Sequence, residues 1–494
     1  MKKNKNKRNK INIFFNVTSW LLILSAAIVT GFLIYFEILP TIYLSLFIII
    51  VGLLIFLLFK LLNNKRLKKW IKIVLSIPSI MLIIIFTFIC FYAYGTIDFF
   101  SSIFDVGIRN DSYSVYVLES SNYETIDDLD NKVIGVSEVE EESTSKAIEK
   151  VSNKIEFNMA EFDNVGDSAR AIKDGKVDAI VALDSNIDIL KEDTKEFNDL
   201  KPIYTFNVST KVKTLTSDKD ISKENFIVYI SGIDTNGKVA AKARSDVNIL
   251  IAVNPKDKKI LMLNTPRDYY VKLGKKKAYD KLTHAGVYGI EESVSTLENL
   301  YDVNIDYYAR VNFTTFINIV EELDGITVDV PVKFCEQTSS RTSSKQICLK
   351  KGKQVLNGEE ALALSRTRHT IAGGDRGRIQ NQMLVLNAII DKALSPSILV
   401  KYNSLLNSVS DSVITNIEQK SITKLIKNQI KNNSSWTIES LSVDGTDGSK
   451  GTYSTGSAKA YVMIPKEETI LEAKKKLDII LETNKYTNEE TDTD

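Results

Sequence analysis

Three long apolar runs open the chain, at roughly residues 11–38, 43–62 and 71–97. Each reaches the ~20 residues that a spanning helix needs. Between Ile11 and Phe59 the sole charged residue is Glu37. The pattern predicts three transmembrane helices. A cleaved signal peptide does not fit, because the apolar run continues into further spans. Beyond residue 98 the apolar positions fall into short groups separated by turn residues. Strand-like groups at 114–118, 132–136 and 179–183 alternate with helix-like groups at 143–151 and 167–174. That alternation predicts a small α/β unit with a partly parallel sheet.

A second globular pattern begins at residue 226. Apolar strands are expected at 226–230, 247–253 and 260–264, the last two joined by a hairpin-like loop, Asn254-Pro255-Lys256-Asp257-Lys258-Lys259. A further strand is expected over 325–331. Helices are expected near 289–300, 313–323, 358–366 and 377–394.

Charge sharpens the topology. Of the 63 Lys and Arg, twelve lie in residues 1–72 against a single acid, so the remainder of the chain is acidic by ten charges. The bases sit in residues 1–10 and at Lys60, Lys65, Arg66, Lys68, Lys69 and Lys72, whereas the turn Glu37-Ile38-Leu39-Pro40 has none. The positive-inside rule then places the N-terminus in the cytoplasm and, after three spans, everything beyond residue 98 outside. The acidic outer portion excludes a general nucleic-acid surface. Cys90 falls in the third span. Cys335 and Cys348 are the only other cysteines, and an oxidising compartment permits them to pair.

Candidate chemistry gathers at strand ends. Asp234, Arg244, Asp246, Arg267 and Asp268 all flank predicted strands, where α/β proteins bind ligands. Arg366, Arg368 and Arg378 surround a Gly-Gly turn that leads into Asp375. Arginines so spaced give forked donors suited to a pyrophosphate. Two aspartates at loop ends suit a hard cation such as Mg²⁺. His369 follows the Arg-x-Arg pair and reads as a hydrogen-bonded surface histidine.

The stretches "ISGIDTNG", "ARSDVNILIAVNPKDKKILMLNTPRDYYV", "KLTHAGVYG", "IDYYARVNFTTFINIVEELDGITVDVP", "KKGKQVLNGEEALALSRTRH" and "GGDRGRIQNQMLVLNAII" resemble the LytR–CpsA–Psr family. The spans and the additional α/β unit resemble its CpsA-like branch. "YETIDDLDNKVIGV" and "AIKDGKVDAIVALDSN" resemble one lobe of a periplasmic solute-binding protein, too short here for two closing lobes. The resulting expectation is an α/β protein with five parts. These are a cytoplasmic tail with three transmembrane helices (1–97), an accessory α/β domain (105–210), a linker (211–225), an α/β/α catalytic domain with a mixed central sheet (226–482) and a disordered tail (483–494).

The resemblance implies a phosphotransferase of the bacterial cell membrane that attaches a polyprenyl-pyrophosphate-linked glycopolymer, of capsule or teichoic-acid type, to peptidoglycan. It implies that Arg267, Arg366, Arg368 and Arg378 hold the pyrophosphate with Arg244 close by, and that Gln382 matches the family glutamine. Asp234 and Asp246 would bind Mg²⁺ or Mn²⁺, and Asp375 would orient or deprotonate the acceptor. Helices 313–323 and 383–394 are candidates to line a tunnel for the lipid, with ordinary core packing as the alternative. The sequence departs from the family pattern at Asn381, where arginine is usual, and at Arg376, a charge that could compensate. A pyrophosphatase and a non-enzymatic regulator of envelope polysaccharide synthesis remain alternatives. The accessory domain is read as a docking module for other envelope-assembly proteins.

Overall fold

The computed structural model describes residues 2–35, 41–104, 108–211, 217, 219–236, 239, 242–340, 346–368, 375–395, 413–418, 421–422, 424–425, 428–429 and 435–486. It divides into two units, Met1–Ser102 with Glu418–Asn433, and Ile103–Ile417 with Ser434–Asp494.

The first unit carries α1 (Lys2–Tyr35), α2 (Thr41–Asn63) and α3 (Lys69–Phe104). Within them Ile13–Ile34, Tyr43–Asn63 and Lys69–Cys90 are long and apolar enough to cross a membrane. Leu22, Leu58 and Phe86 pack between helices, while Leu53, Phe56 and Ile84 point outward. Helices apolar on every side suit a lipid solvent, where intrahelical bonds satisfy the backbone.

The accessory domain holds β1 (Ile108–Leu118), β2 (Val133–Ser137), α4 (Glu142–Ser152), β3 (Asn158–Phe162), α5 (Val165–Lys173), β4 (Ala179–Leu183), α6 (Asp184–Thr194) and β5 (Leu200–Lys211). Its sheet runs β3-β2-β4-β1-β5. β2 is parallel to β3 and β4, and β1 is antiparallel to β4 and β5. Val115, Val117, Ile134, Val136 and Val181 build its core. The core cluster also includes Val287 from the following domain. β5 runs to Lys211, where the expected linker begins, and within that stretch Lys219 pairs with Asp306 at 2.8 Å.

The larger domain contains β6 (Phe226–Gly232), β7 (Val247–Asn254), β8 (Lys259–Asn264), β9 (Tyr270–Lys272), β10 (Tyr279–Lys281), α7 (Leu282–Ala285), α8 (Ile290–Tyr301), β11 (Tyr307–Val311), α9 (Phe313–Glu322) and β12 (Ile326–Val330). It continues through β13 (Phe334–Gln337), β14 (Gln346–Leu349), β15 (Gly352–Leu356), α10 (Gly358–Arg366), α11 (Asp375–Ala393), β16 (Val413–Thr415), β17 (Thr437–Ser442), β18 (Gly445–Thr452), β19 (Gly456–Pro465) and α12 (Glu467–Leu481). The central sheet is mixed, in the order β16-β11-β6-β7-β8-β17. β11 runs parallel to β6 and β17 parallel to β8, while β7 is antiparallel to both neighbours.

Ile227, Tyr229, Leu250 and Leu263 face α8 and α12, meeting Leu297, Tyr301, Ala473 and Leu477. Their odd-even partners turn to the opposite face. Phe316, Val320 and Leu323 of the α9 segment form one core with β12, α10, Val385 and Ile389. Those residues of the two helices considered above as tunnel walls pack as core. At the start of the expected tail, the amides of Lys485 and Tyr486 donate to the Asp478 carboxylate at 2.8 and 3.0 Å.

β13 and β14 form a hairpin in which Cys335 and Cys348 stand directly opposite and are joined by a disulfide. Replacing Cys335 by serine is expected to cost about 3 kcal/mol in the chain-entropy account. A drop in the urea midpoint of the detergent-solubilised chain would register it, and an unchanged midpoint would refute it.

Candidate active site

Strand direction brings the predicted residues to one edge. Gly232 closes β6 opposite Val247, the first residue of β7. Asp234 and Asp246 therefore sit on facing loop ends, and the Asp246 amide donates to the Gly232 carbonyl at 2.8 Å. β8 ends at Asn264, so Arg267 emerges at the same edge. Parallel pairing brings the ends of β11 and β17 there too. Arg376, in the first turn of α11, bonds Asp444 just past β17 at 2.9 Å and the Gly445 carbonyl at 3.0 Å. That contact sets the α11 N-terminus beside the sheet edge. It also engages the Arg376 guanidinium through Nε and Nη2.

The centre of this edge is a compact ion cluster. Arg267 Nη1 donates to Asp246 Oδ1 at 2.8 Å, and its Nε lies 3.4 Å from Asp268 Oδ2. The Thr283 hydroxyl reaches the same Asp246 oxygen at 3.3 Å. Beneath it, Arg310 is fully buried, donating from Nε to Ser231 Oγ at 3.2 Å and from Nη2 to Ser245 Oγ at 3.3 Å and the Gly286 carbonyl at 3.3 Å. Arg310 thus fixes the loop bearing Asp246 to the segment bearing Thr283.

The remaining predicted residues are placed as follows. Arg366 ends α10, stacks 4.9 Å over the Phe313 ring and donates to the Thr338 carbonyl at 3.3 Å. Arg378 is buried on α11, Arg368 is exposed and Gln382 half-buried. Arg244 pairs with Glu192 of the accessory domain. Asn381 is fully buried, and neither of its amide atoms has a hydrogen-bond partner among the described residues. Asp375 opens α11, but its side chain and His369 lie outside the described residues.

Sequence reasoning missed the buried group behind the cluster. His284 Nδ1 lies 2.6 Å from Asp280 Oδ1, and its Nε2 is 3.3 Å from Asp193 Oδ2. Lys281 Nζ reaches Asp193 Oδ2 at 2.9 Å and Asp268 Oδ1 at 3.5 Å. The i, i+4 spacing of Asp280 and His284 was its one visible signal.

Burial disfavours the His284 cation, yet the carboxylates of Asp280 and Asp193 outweigh it and raise the pKa from 6.5 to about 9. Burial likewise opposes the Asp193 carboxylate, but the bonds to His284 and Lys281 bring it from 3.8 down to about 2. The raised histidine stabilises fully below its unfolded value and loses that contribution as pH rises through about 9. The depressed aspartate stabilises above 3.8 and loses its contribution as pH falls through about 2. The thermal midpoint of the full chain should therefore decline as pH rises from 6.5 through about 9. His284→Gln should flatten that slope; an equally steep slope in the variant would exclude His284 as its source.

Charged side chains gathered at the carboxyl end of a mixed sheet mark this edge of the α/β domain as its candidate ligand site. The chain belongs to the LytR_cpsA_psr family, which residues 190–478 match. Among curated relatives, it is 40% identical over 205 residues to the Bacillus subtilis polyisoprenyl-teichoic acid–peptidoglycan teichoic acid transferase TagT, covering 41% of this chain and 63% of the relative. It is 38% identical over 242 residues to Bacillus subtilis TagV, of the same description, covering 47% and 61%. The matched stretch is thus less than two thirds of either relative's length. The crystal structure of B. subtilis TagV superposes with a TM-score of 0.45 at 34% identity, over 53% of this chain and 98% of that one.

Proposed function

We propose that the protein is a membrane-anchored phosphotransferase that moves a glycopolymer from a polyprenyl-pyrophosphate carrier onto peptidoglycan. The observation that carries this reading is the Asp246–Arg267–Asp268 cluster at a sheet edge shared with Asp234 and the α11 N-terminus. Relatives named as teichoic acid transferases support it. The positive flanks of the spans support a cytoplasmic N-terminus and an extracellular site. The polymer is of capsule or teichoic-acid type.

In this reading an acceptor sugar hydroxyl attacks the phosphorus nearer the glycan. The bond from that phosphorus to the bridging oxygen breaks, and polyprenyl monophosphate leaves with the bond's electron pair. A phosphodiester then joins polymer to wall. Asp375 is proposed to take the hydroxyl proton. Arg267, braced by two carboxylates, meets the pyrophosphate with Arg366, Arg368 and Arg378, and Arg244 joins them on leaving Glu192. Such transfer depends on positioning and charge stabilisation.

Mg²⁺ is proposed at the same edge. Among the described residues no group of three or more His, Cys, Asp or Glu is arranged to hold a metal ion, but Mg²⁺ needs only one or two carboxylates together with substrate phosphates. Asp234 and Asp246 would hold it, and it would neutralise charge on the diphosphate.

The test incubates the purified chain with a lipid-pyrophosphate glycan, with and without peptidoglycan. Polyprenyl phosphate released mainly in the presence of acceptor supports transfer. Equal release without acceptor makes the protein a pyrophosphatase and overturns the reading.

A further inference from the structure

The accessory domain reaches the candidate site through the carboxyl end of α6. Glu192 and Asp193 stand in its last turn, just before Lys195 turns left-handed at φ 53°. A helix carboxyl end disfavours anions. Two acids there break the local preference, and their compensation lies across the domain boundary. Glu192 takes Arg244, and Asp193 takes both Lys281 and His284. Val287, three residues beyond His284, is buried in the accessory core and ties this segment to it.

From Asp193 the charges alternate inward. Lys281 lies 2.9 Å from Asp193 and 3.5 Å from Asp268, Asp268 lies 3.4 Å from Arg267, and Arg267 lies 2.8 Å from Asp246. The Lys281 side chain is only 5% exposed. A buried ammonium that loses one carboxylate draws in the next, and here the next is Asp268, which braces Arg267.

We infer that Asp193 is a positioning residue of the pyrophosphate site, so that the accessory domain is a working part of that site. By holding Lys281, Asp193 leaves Asp268 to orient Arg267. What Arg267 then does rests on the phosphotransferase reading; what Asp193 does rests on geometry.

The experiment compares D193N, D193E and E138Q in the full chain. Glu138 is the control. It bonds Lys276 at 2.8 Å and the Tyr453 hydroxyl at 2.9 Å across the same domain boundary, outside the chain of charges. Two readouts are taken: turnover of a lipid-pyrophosphate glycan, and hydrogen exchange at the Thr283 amide, which donates to the Arg267 carbonyl at 2.8 Å.

D193N should lower kcat about 10²-fold, the order associated with small misplacements of a catalytic group. KM should change by less than about three-fold, because the other arginines still hold the diphosphate. D193E should recover most of the loss, E138Q should stay near wild type, and exchange at Thr283 should accelerate in D193N alone. Adding D193N to K281M should cost nothing further, since the two act in series.

Equal losses in D193N and E138Q would reduce Asp193 to domain adhesion and overturn the inference, as would a D193N chain unchanged in both readouts. If the wild-type chain turned over nothing while exchange still rose in D193N alone, the phosphotransferase reading would fail and the positioning role would stand.

Discussion

Arg267→Ala is expected to reduce turnover of a polyprenyl-pyrophosphate glycan by about 10³-fold, the lower end of what a transition-state arginine supplies in phosphoryl transfer. Arg267 is aimed by Asp246 at 2.8 Å and Asp268 at 3.4 Å. An arginine held on two sides loses little freedom when substrate arrives, so its charge acts on the transition state at low cost. Arg267→Lys should recover little, because an ammonium cannot reproduce contacts made through both Nη1 and Nε. Some stability should be lost as well, since the side chain is mostly buried and Asp246 loses its guanidinium partner, while Asp268 keeps Lys281 beside it. Single-turnover kinetics with a matched thermal melt separates the two effects. Turnover within ten-fold of wild type in a folded R267A protein would remove Arg267 from the mechanism.

The largest stability effect is expected at Asp280, which is fully buried. Its Oδ1 meets His284 Nδ1 at 2.6 Å and accepts from the Lys281 amide at 2.7 Å. Its Oδ2 accepts from the Ser454 amide at 2.9 Å and the Ser454 hydroxyl at 2.6 Å. One carboxylate thus joins β10 and α7 to the turn of the β18–β19 hairpin. Asp280→Ala leaves a buried imidazolium short of an anion and removes the acceptor from three further donors, for a loss of about 3–5 kcal/mol. In a domain of this size that corresponds to roughly 10 °C in Tm. The double variant D280N/H284Q should recover part of it by removing both charges together. A D280A chain melting within 2–3 °C of wild type (about 1 kcal/mol) would show that the pair stabilises little.

The membrane spans were legible because only runs of that length and apolarity are solvated by lipid. β6, β7 and β8 were legible as apolar groups with turn residues between them. β3 escaped notice because it is a largely exposed edge strand, Asn158–Phe162. β17 and β18 also escaped: Thr437–Ser442 pairs only at the sheet margin, and Gly445–Thr452 is rich in Gly and Thr and shows no apolar alternation. At the site, the acid and arginine positions flanking β6, β7 and β8 could be read because strand ends face the crevice whatever the rest of the fold does. The Asp193–Lys281 contact could not. It joins residues 88 apart in sequence and exists only once the two domains dock. Arg244 illustrates the same limit: its position was readable, but its pairing with Glu192 depends on the accessory domain.

The central claim is that the glycan-proximal phosphorus is carried to the wall. A lipid-linked glycan labelled with ³²P at that phosphorus alone, incubated with the purified chain and peptidoglycan, tests it most directly. The predicted result is label in the insoluble wall as a phosphodiester, released by muramidase digestion together with glycan and muropeptide. Label recovered in solution as a glycan phosphate, or left on the polyprenyl product, would contradict it.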